Sequence, residues 1–139
     1  MVRPVGVAAV AGLAFALTGT PGLAHKQTFD PPRNITFHSF PWAPDHSVYI
    51  YGSIRGRPPC LRGRIVRIWH VVGEAGEIVA TLHAGHAEPL RSYWGTVLQD
   101  PPYGYYQVEV RRQVTRTPHH VRRCPGGSSG MFWLPPAPG

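Results

Sequence analysis

Eight histidines stand in a chain of 139 residues, and one of them, His25, sits where processing would make it more than an imidazole. The stretch Pro21-Gly-Leu-Ala-His-Lys-Gln-Thr-Phe29 places small residues, Gly22 and Ala24, at the −3 and −1 positions of a signal-peptidase site. Cleavage after Ala24 would leave His25 as the first residue. Its α-amine and Nδ1 would then form a chelating pair for Cu(II), and a second imidazole would complete a T-shaped site. If cleavage falls elsewhere, His25 is an ordinary interior residue.

The remaining histidines make poorer ligand sets. His83-Ala-Gly-His86 has chelating spacing but no third ligand nearby in sequence, which fits surface loop histidines as well as a metal. His119 and His120 are adjacent, and on a strand adjacent side chains point to opposite faces, so the two would not share one ion. No Gly-x-Ser-x-Gly elbow, His-Glu-x-x-His helix or phosphate-cradling glycine loop occurs. The seven acids show no spacing that marks a paired-carboxylate site. The expectation is therefore a protein without catalytic activity and without a cofactor, with copper at His25 as the alternative.

Processing and composition bound the rest. Arg3, the apolar run from Val5 to Leu17 and the small residues ending at Ala24 read as a signal peptide over residues 1–24. The apolar run falls well short of the roughly 20 residues of a membrane span, so the mature chain is expected to be secreted, without a span and monomeric. It has room for one domain with a modest core. Fourteen Lys and Arg against seven acids give a formal net charge of +7, which favours anionic partners such as acidic cell-envelope polymers. Nucleic acid is not the expected partner: no binding motif accompanies the charge, and the arginine excess (Lys26 is the only lysine) also reads as the coding bias of a GC-rich genome. Cys60 and Cys124 are the only cysteines, and an even pair in a small exported domain forms a disulfide. A two-cysteine metal site would need a spacing such as C-x-x-C, which is absent.

Short alternating runs rich in Val, Ile, Tyr and Trp, separated by Gly and Pro clusters, dominate the chain after the signal. In Ser47–Arg55 the residues Val48, Ile50 and Ile54 share one face, and Tyr49, Tyr51, Ser53 and Arg55 the other. Arg64–Val72 offers Val66, Ile68 and Val72 to a core, with Ile65 and Trp69 on its outer face. Gly76–Leu82 is its hairpin partner. Arg91–Leu98 follows, then Tyr105–Val114, where Tyr106, Val108 and Val110 oppose Gln107, Glu109 and Arg111. Shorter candidates lie at 35–40, 119–123 and 130–134. About seven strands and no helices predict a single all-β domain, an antiparallel two-sheet sandwich of immunoglobulin-like or transthyretin-like kind, over residues 47–134. A proline-rich flank at 25–46 precedes it and a tail at 135–139 follows, both expected to be irregular.

The succession Val48-x-Ile50-x-Gly52, Cys60-x-x-x-Arg64-x-Val66-x-Ile68, Trp94, Pro102-Tyr-Gly-Tyr-Tyr-Gln-Val-Glu-Val110 and Cys124 resembles the transthyretin-like, carboxypeptidase-regulatory-like sandwiches of exported bacterial proteins. Gly104-Tyr-Tyr106 resembles the Gly-x-Tyr with which that group begins a late core strand. The likeness implies a fold and no activity. Function then falls to the outward residues. Tyr49, Tyr51, Trp69, Tyr93 and Tyr105 alternate with the core positions and, with neighbouring arginines, form a candidate ligand surface for sugars or a protein partner. The competing expectation is that the flanks cover these faces with Phe37, Phe40, Trp42, Phe132 and Trp133. The leading functional reading is a secreted binding or cell-envelope interaction module whose partner is a protein or an anionic polymer.

Overall fold

The computed structural model describes residues 25–139, except for the side chains of His86 and Ala87; the expected signal peptide at 1–24 lies outside the described residues. Alternation builds the first sheet. β3 (Ser47–Arg55) and β7 (Arg91–Gln99) pair antiparallel over their whole length, from Ser47 opposite Gln99 to Arg55 opposite Arg91. Their inward residues Val48, Ile50, Ile54, Trp94 and Leu98 are all buried. Two short strands flank this pair, β2 (His38–Ser39) and β6 (His86–Glu88), in the order β2-β3-β7-β6.

The second sheet is centred on β4 (Ile65–Val72), which pairs antiparallel with β5 (Ala75–His83) on one side and β8 (Gly104–Val110) on the other. β11 (Gly127–Ser128) and β12 (Phe132–Leu134) both lie against β8. Val66, Ile68, Tyr106, Val108, Val110 and Leu134 close one core with the inward face of the first sheet, which is the arrangement expected when each sheet has one apolar face to bury. Gly73 allows the tight β4–β5 turn: it is the first central residue between Val72 and Ala75 and has φ +60°, as a two-residue hairpin of the II′ pattern requires. Val72, expected in the core, is 64% exposed because it sits at this turn, beyond the reach of the opposite sheet.

The described residues are all-β, as expected, with more strands and one more sheet than the sequence suggested. The flank at 25–46 is not wholly irregular. It contributes β2, and β1 (His25–Thr28) pairs in parallel with β10 (His120–Cys124), which in turn pairs with β9 (Gln113–Arg116) to make a third sheet, β1-β10-β9. The additional strands are mostly two to four residues long, and they come from proline- and glycine-punctuated segments whose pairing has no local signature.

The expected disulfide is present. Cys60 and Cys124 are joined across a sequence separation of 64, with Cα atoms 5.5 Å apart, inside the usual span for such a bridge. It ties the 3-10 turn Pro58–Cys60 to the end of β10. Arg64 lies beside this link, 1% exposed. Its guanidinium donates from Nη1 to the Cys60 carbonyl at 2.9 Å and from Nη2 to the carbonyls of Arg111 and Pro125 at 2.9 and 2.7 Å. Burial weakens its hold on the proton, and the three carbonyl oxygens replace the water it has lost. At the far end of β8 the Tyr106 hydroxyl donates to the Pro102 carbonyl four residues upstream. Burial, with a lesser contribution from the Glu77 carboxylate, pushes this hydroxyl up to about 12. Among the described residues no helix is long and apolar enough to cross a membrane.

Candidate ligand surface

Because side chains alternate across a strand, the outer face of the β2-β3-β7-β6 sheet is made of the residues that do not enter the core. Tyr49 and Tyr51 lie there on β3, and the neighbouring chain adds His38 and Phe40. Phe40 holds its place through its N–H, which donates to the Tyr49 carbonyl at 2.9 Å. Its ring centroid is 5.6 Å from that of Tyr49 and 5.2 Å from that of Tyr51, while Tyr49 and Tyr51 stack at 5.8 Å and His38 stacks on Tyr51 at 5.3 Å. These spacings are those of favourable aromatic pairs. Gly95 on β7 makes room for the cluster: a Cβ at that position would lie 2.2 Å from the Tyr49 hydroxyl oxygen, so the tyrosine lies over bare backbone. Phe40 remains 54% and Tyr49 41% exposed. Together the rings form an open platform.

Tyr93 belongs to the same face, opposite Ser53, and its hydroxyl donates to Glu88 at 3.1 Å. The other two expected surface residues do not. Trp69 and Tyr105 lie on the outer face of the second sheet, on the far side of the core, where Trp69 stands opposite Ile78 and Gln107. The five residues therefore divide three and two between opposite sides of the molecule. Alternation along a strand gives its faces; which sheet the strand joins depends on pairings remote in sequence. Tyr105 meets Trp133 edge-on at 5.0 Å, and Trp69 lines a shallow cleft of ≈ 180 Å³ with Glu74, Gln107 and Glu109.

Of the flank aromatics expected as covers, Phe37 goes into the core and meets the Phe132 ring at 4.3 Å. Trp42 and Phe132 pack against the core edge. Phe40 and Trp133 do lie on the outer faces but stay half exposed themselves, so they extend the aromatic surfaces more than they hide them.

At the other end of the first sheet the residues change from rings to cations. Arg33 and Arg55 exchange both backbone hydrogen bonds, each at 2.9 Å, and Arg55 stands opposite Arg91 on β7. Three arginines thus occupy neighbouring positions on one face, about 5 Å from strand to strand. A cavity of ≈ 530 Å³ lies beside them, lined by Arg33, Arg55 and Arg57 together with Asp30, Asn34 and Leu90. Sequence alternation placed Arg55 on the face of Tyr49 and Tyr51; the alignment with Arg33 and Arg91 depends on register and was invisible.

His25 lies in β1, directly opposite His120 in the parallel register, with its N–H donating to the His119 carbonyl at 3.0 Å. The two rings are 6.0 Å apart between centroids and inclined by 30°. His120 Nδ1 is shielded from solvent and has no hydrogen-bond partner. Among the described residues no group of three or more His, Cys, Asp or Glu side chains is placed to hold a metal ion, so a metal here would need a donor that is not a side chain.

No family model, curated protein or solved structure matches this chain. What the architecture supports is a sheet-rich fold consistent with a β-sandwich, closed by one disulfide and carrying an aromatic platform that continues into a row of arginines.

Proposed function

We propose that this protein is an extracytoplasmic binding module, a transthyretin-like β-sandwich that acts without catalysis and holds a sugar polymer of the cell envelope on the outer face of its β2-β3-β7-β6 sheet. The observation that carries this reading is the platform of Phe40, Tyr49 and Tyr51. Rings left in water forgo about 25 cal/mol for each Å² of apolar surface that a partner could cover, and flat, rigid faces suit the apolar faces of pyranose rings at little cost in side-chain entropy. The disulfide fits an oxidising compartment, as export would provide.

Calorimetric titration with neutral and acidic envelope polysaccharides tests the reading. Tyr51→Ala, Phe40→Ala and the double variant should weaken binding at least tenfold without changing the melting temperature by more than a few degrees. Absence of binding to every polysaccharide, or full binding by the double variant, would contradict it.

A second reading rests on the His25–His120 pair: copper held by a chain beginning at His25. The two imidazoles, 6.0 Å apart between ring centroids, would be two of the donors to the ion. The free α-amine would be the third donor. It could keep its hydrogen bond to the His119 carbonyl while its lone pair meets the ion. Protein exported with His25 as first residue should bind one equivalent of Cu(II), and His120→Ala or one additional N-terminal residue should abolish this. Binding unaffected by both changes would refute the assignment.

A further inference from the structure

We infer that the row Arg33, Arg55 and Arg91, with Arg57, is an anion-binding subsite, and that the polymer it recognises is an acidic polysaccharide with carboxylates on its sugar rings. This rests on the ring platform as a sugar-binding surface and adds the charge of the ligand. Like charges on directly opposite strand positions destabilise a sheet, yet this sheet sets Arg33 against Arg55 and Arg55 against Arg91. Among the described residues the only ion pair on the row is Arg33 with Asp30 at 4.0 Å, both largely exposed. Asp30 also lines the cavity, so it partly offsets Arg33, while among the described residues Arg55, Arg57 and Arg91 make no ion pair within 4.0 Å. Glu88, opposite Arg91, accepts the Tyr93 hydroxyl but keeps its charge, so it offsets Arg91 in part and leaves Arg55 and Arg57 the least compensated. An anion from outside the described chain would relieve the repulsion that remains.

Geometry narrows its form. Tyr51 and Arg55 are four residues apart on one strand and one face, about 13 Å, which is further than a single sugar ring reaches. A chain of rings can cover Tyr51 and Phe40 and still bring carboxylates to the arginines, whose planar forks match carboxylate oxygens in pairs. A polyphosphate has charge but no ring to stack. A neutral glycan has rings but nothing for the arginines.

The experiment compares polygalacturonate, a neutral galactan, long-chain polyphosphate and duplex DNA as ligands of the whole exported protein. Parent protein should prefer polygalacturonate over the galactan, and the preference should shrink as salt is raised. Arg55→Gln with Arg91→Gln should weaken polygalacturonate about tenfold and leave galactan unchanged. Arg62→Gln with Arg116→Gln, which removes as much charge elsewhere on the exposed surface, should have little effect.

Equal losses from the two double variants would mean that bulk charge alone acts, and would overturn the subsite. Undiminished polygalacturonate binding by Arg55→Gln/Arg91→Gln, with loss in Tyr51→Ala, would overturn the subsite and leave the sugar platform standing. Loss in the arginine variant with none in Tyr51→Ala would remove the platform instead. DNA or polyphosphate bound as tightly as polygalacturonate, and indifferent to Tyr51→Ala, would overturn the polysaccharide assignment.

Discussion

Arg64 and Arg55 are the same side chain put to opposite uses. Arg64 is sealed beside the disulfide and its guanidinium is held by three carbonyls from three segments. Arg55 lies on an open face between two more arginines and makes no ion pair among the described residues, its neighbours being only partly offset by Asp30 and Glu88. A buried charge survives only where the fold supplies its hydrogen bonds, and an exposed like-charge row persists at a small cost to stability. The first arrangement is explained by the fold. The second has no structural benefit and points outward.

Reducing the disulfide, or Cys60→Ser, should cost about 4 kcal/mol, the chain-entropy value for a loop of this size, read as a fall in the denaturation midpoint; an unchanged midpoint under reducing agent would show that the bridge does not stabilise the fold. Arg64→Met should cost about 3 kcal/mol, because three carbonyls lose a charged donor and find no water. Retention of parent stability in that variant would mean that those carbonyls are hydrated after all.

The Tyr106 hydroxyl gives a smaller, pH-dependent effect. Its proton is held more tightly in the fold, at about 12, than the ordinary value near 10. Stability from this group is therefore fully present below pH 10 and lost as pH rises from 10 towards 12, by up to about 2 kcal/mol. In Tyr106→Phe that part of the alkaline slope should vanish; an identical slope would assign it to other groups.

Arg55→Gln should leave stability unchanged or raise it by about 0.5 kcal/mol, through relief of like-charge contacts. A loss of more than 1 kcal/mol would mean that Arg55 is structural, like Arg64.

Local alternation carried the fold a long way. The core faces of β3 and β8 were legible because Val48, Ile50 and Ile54, and Tyr106, Val108 and Val110, recur at the period of a strand with one dry side. The disulfide was legible from an even pair in a small chain expected to be exported. Pairings between segments distant in sequence were not. Nothing near His25 announces a parallel partner at His120, and nothing near Arg55 announces Arg33 and Arg91. Arg64 reads from sequence as one more surface charge at the start of a strand, since its burial depends on carbonyls from residues 60, 111 and 125 converging. The same limit divided the expected aromatic surface, because the faces of separate strands were read correctly without knowing that Tyr49 and Trp69 belong to opposite sheets.

The most direct measurement is an NMR titration of the protein with oligogalacturonate, following backbone amides on both outer faces. Shifts should concentrate at Phe40, Tyr49, Tyr51, Arg55 and Arg91, with the β4-β5-β8 face around Trp69 and Tyr105 silent. Shifts centred on Trp69 and Tyr105, or no shifts at millimolar ligand, would contradict the assignment.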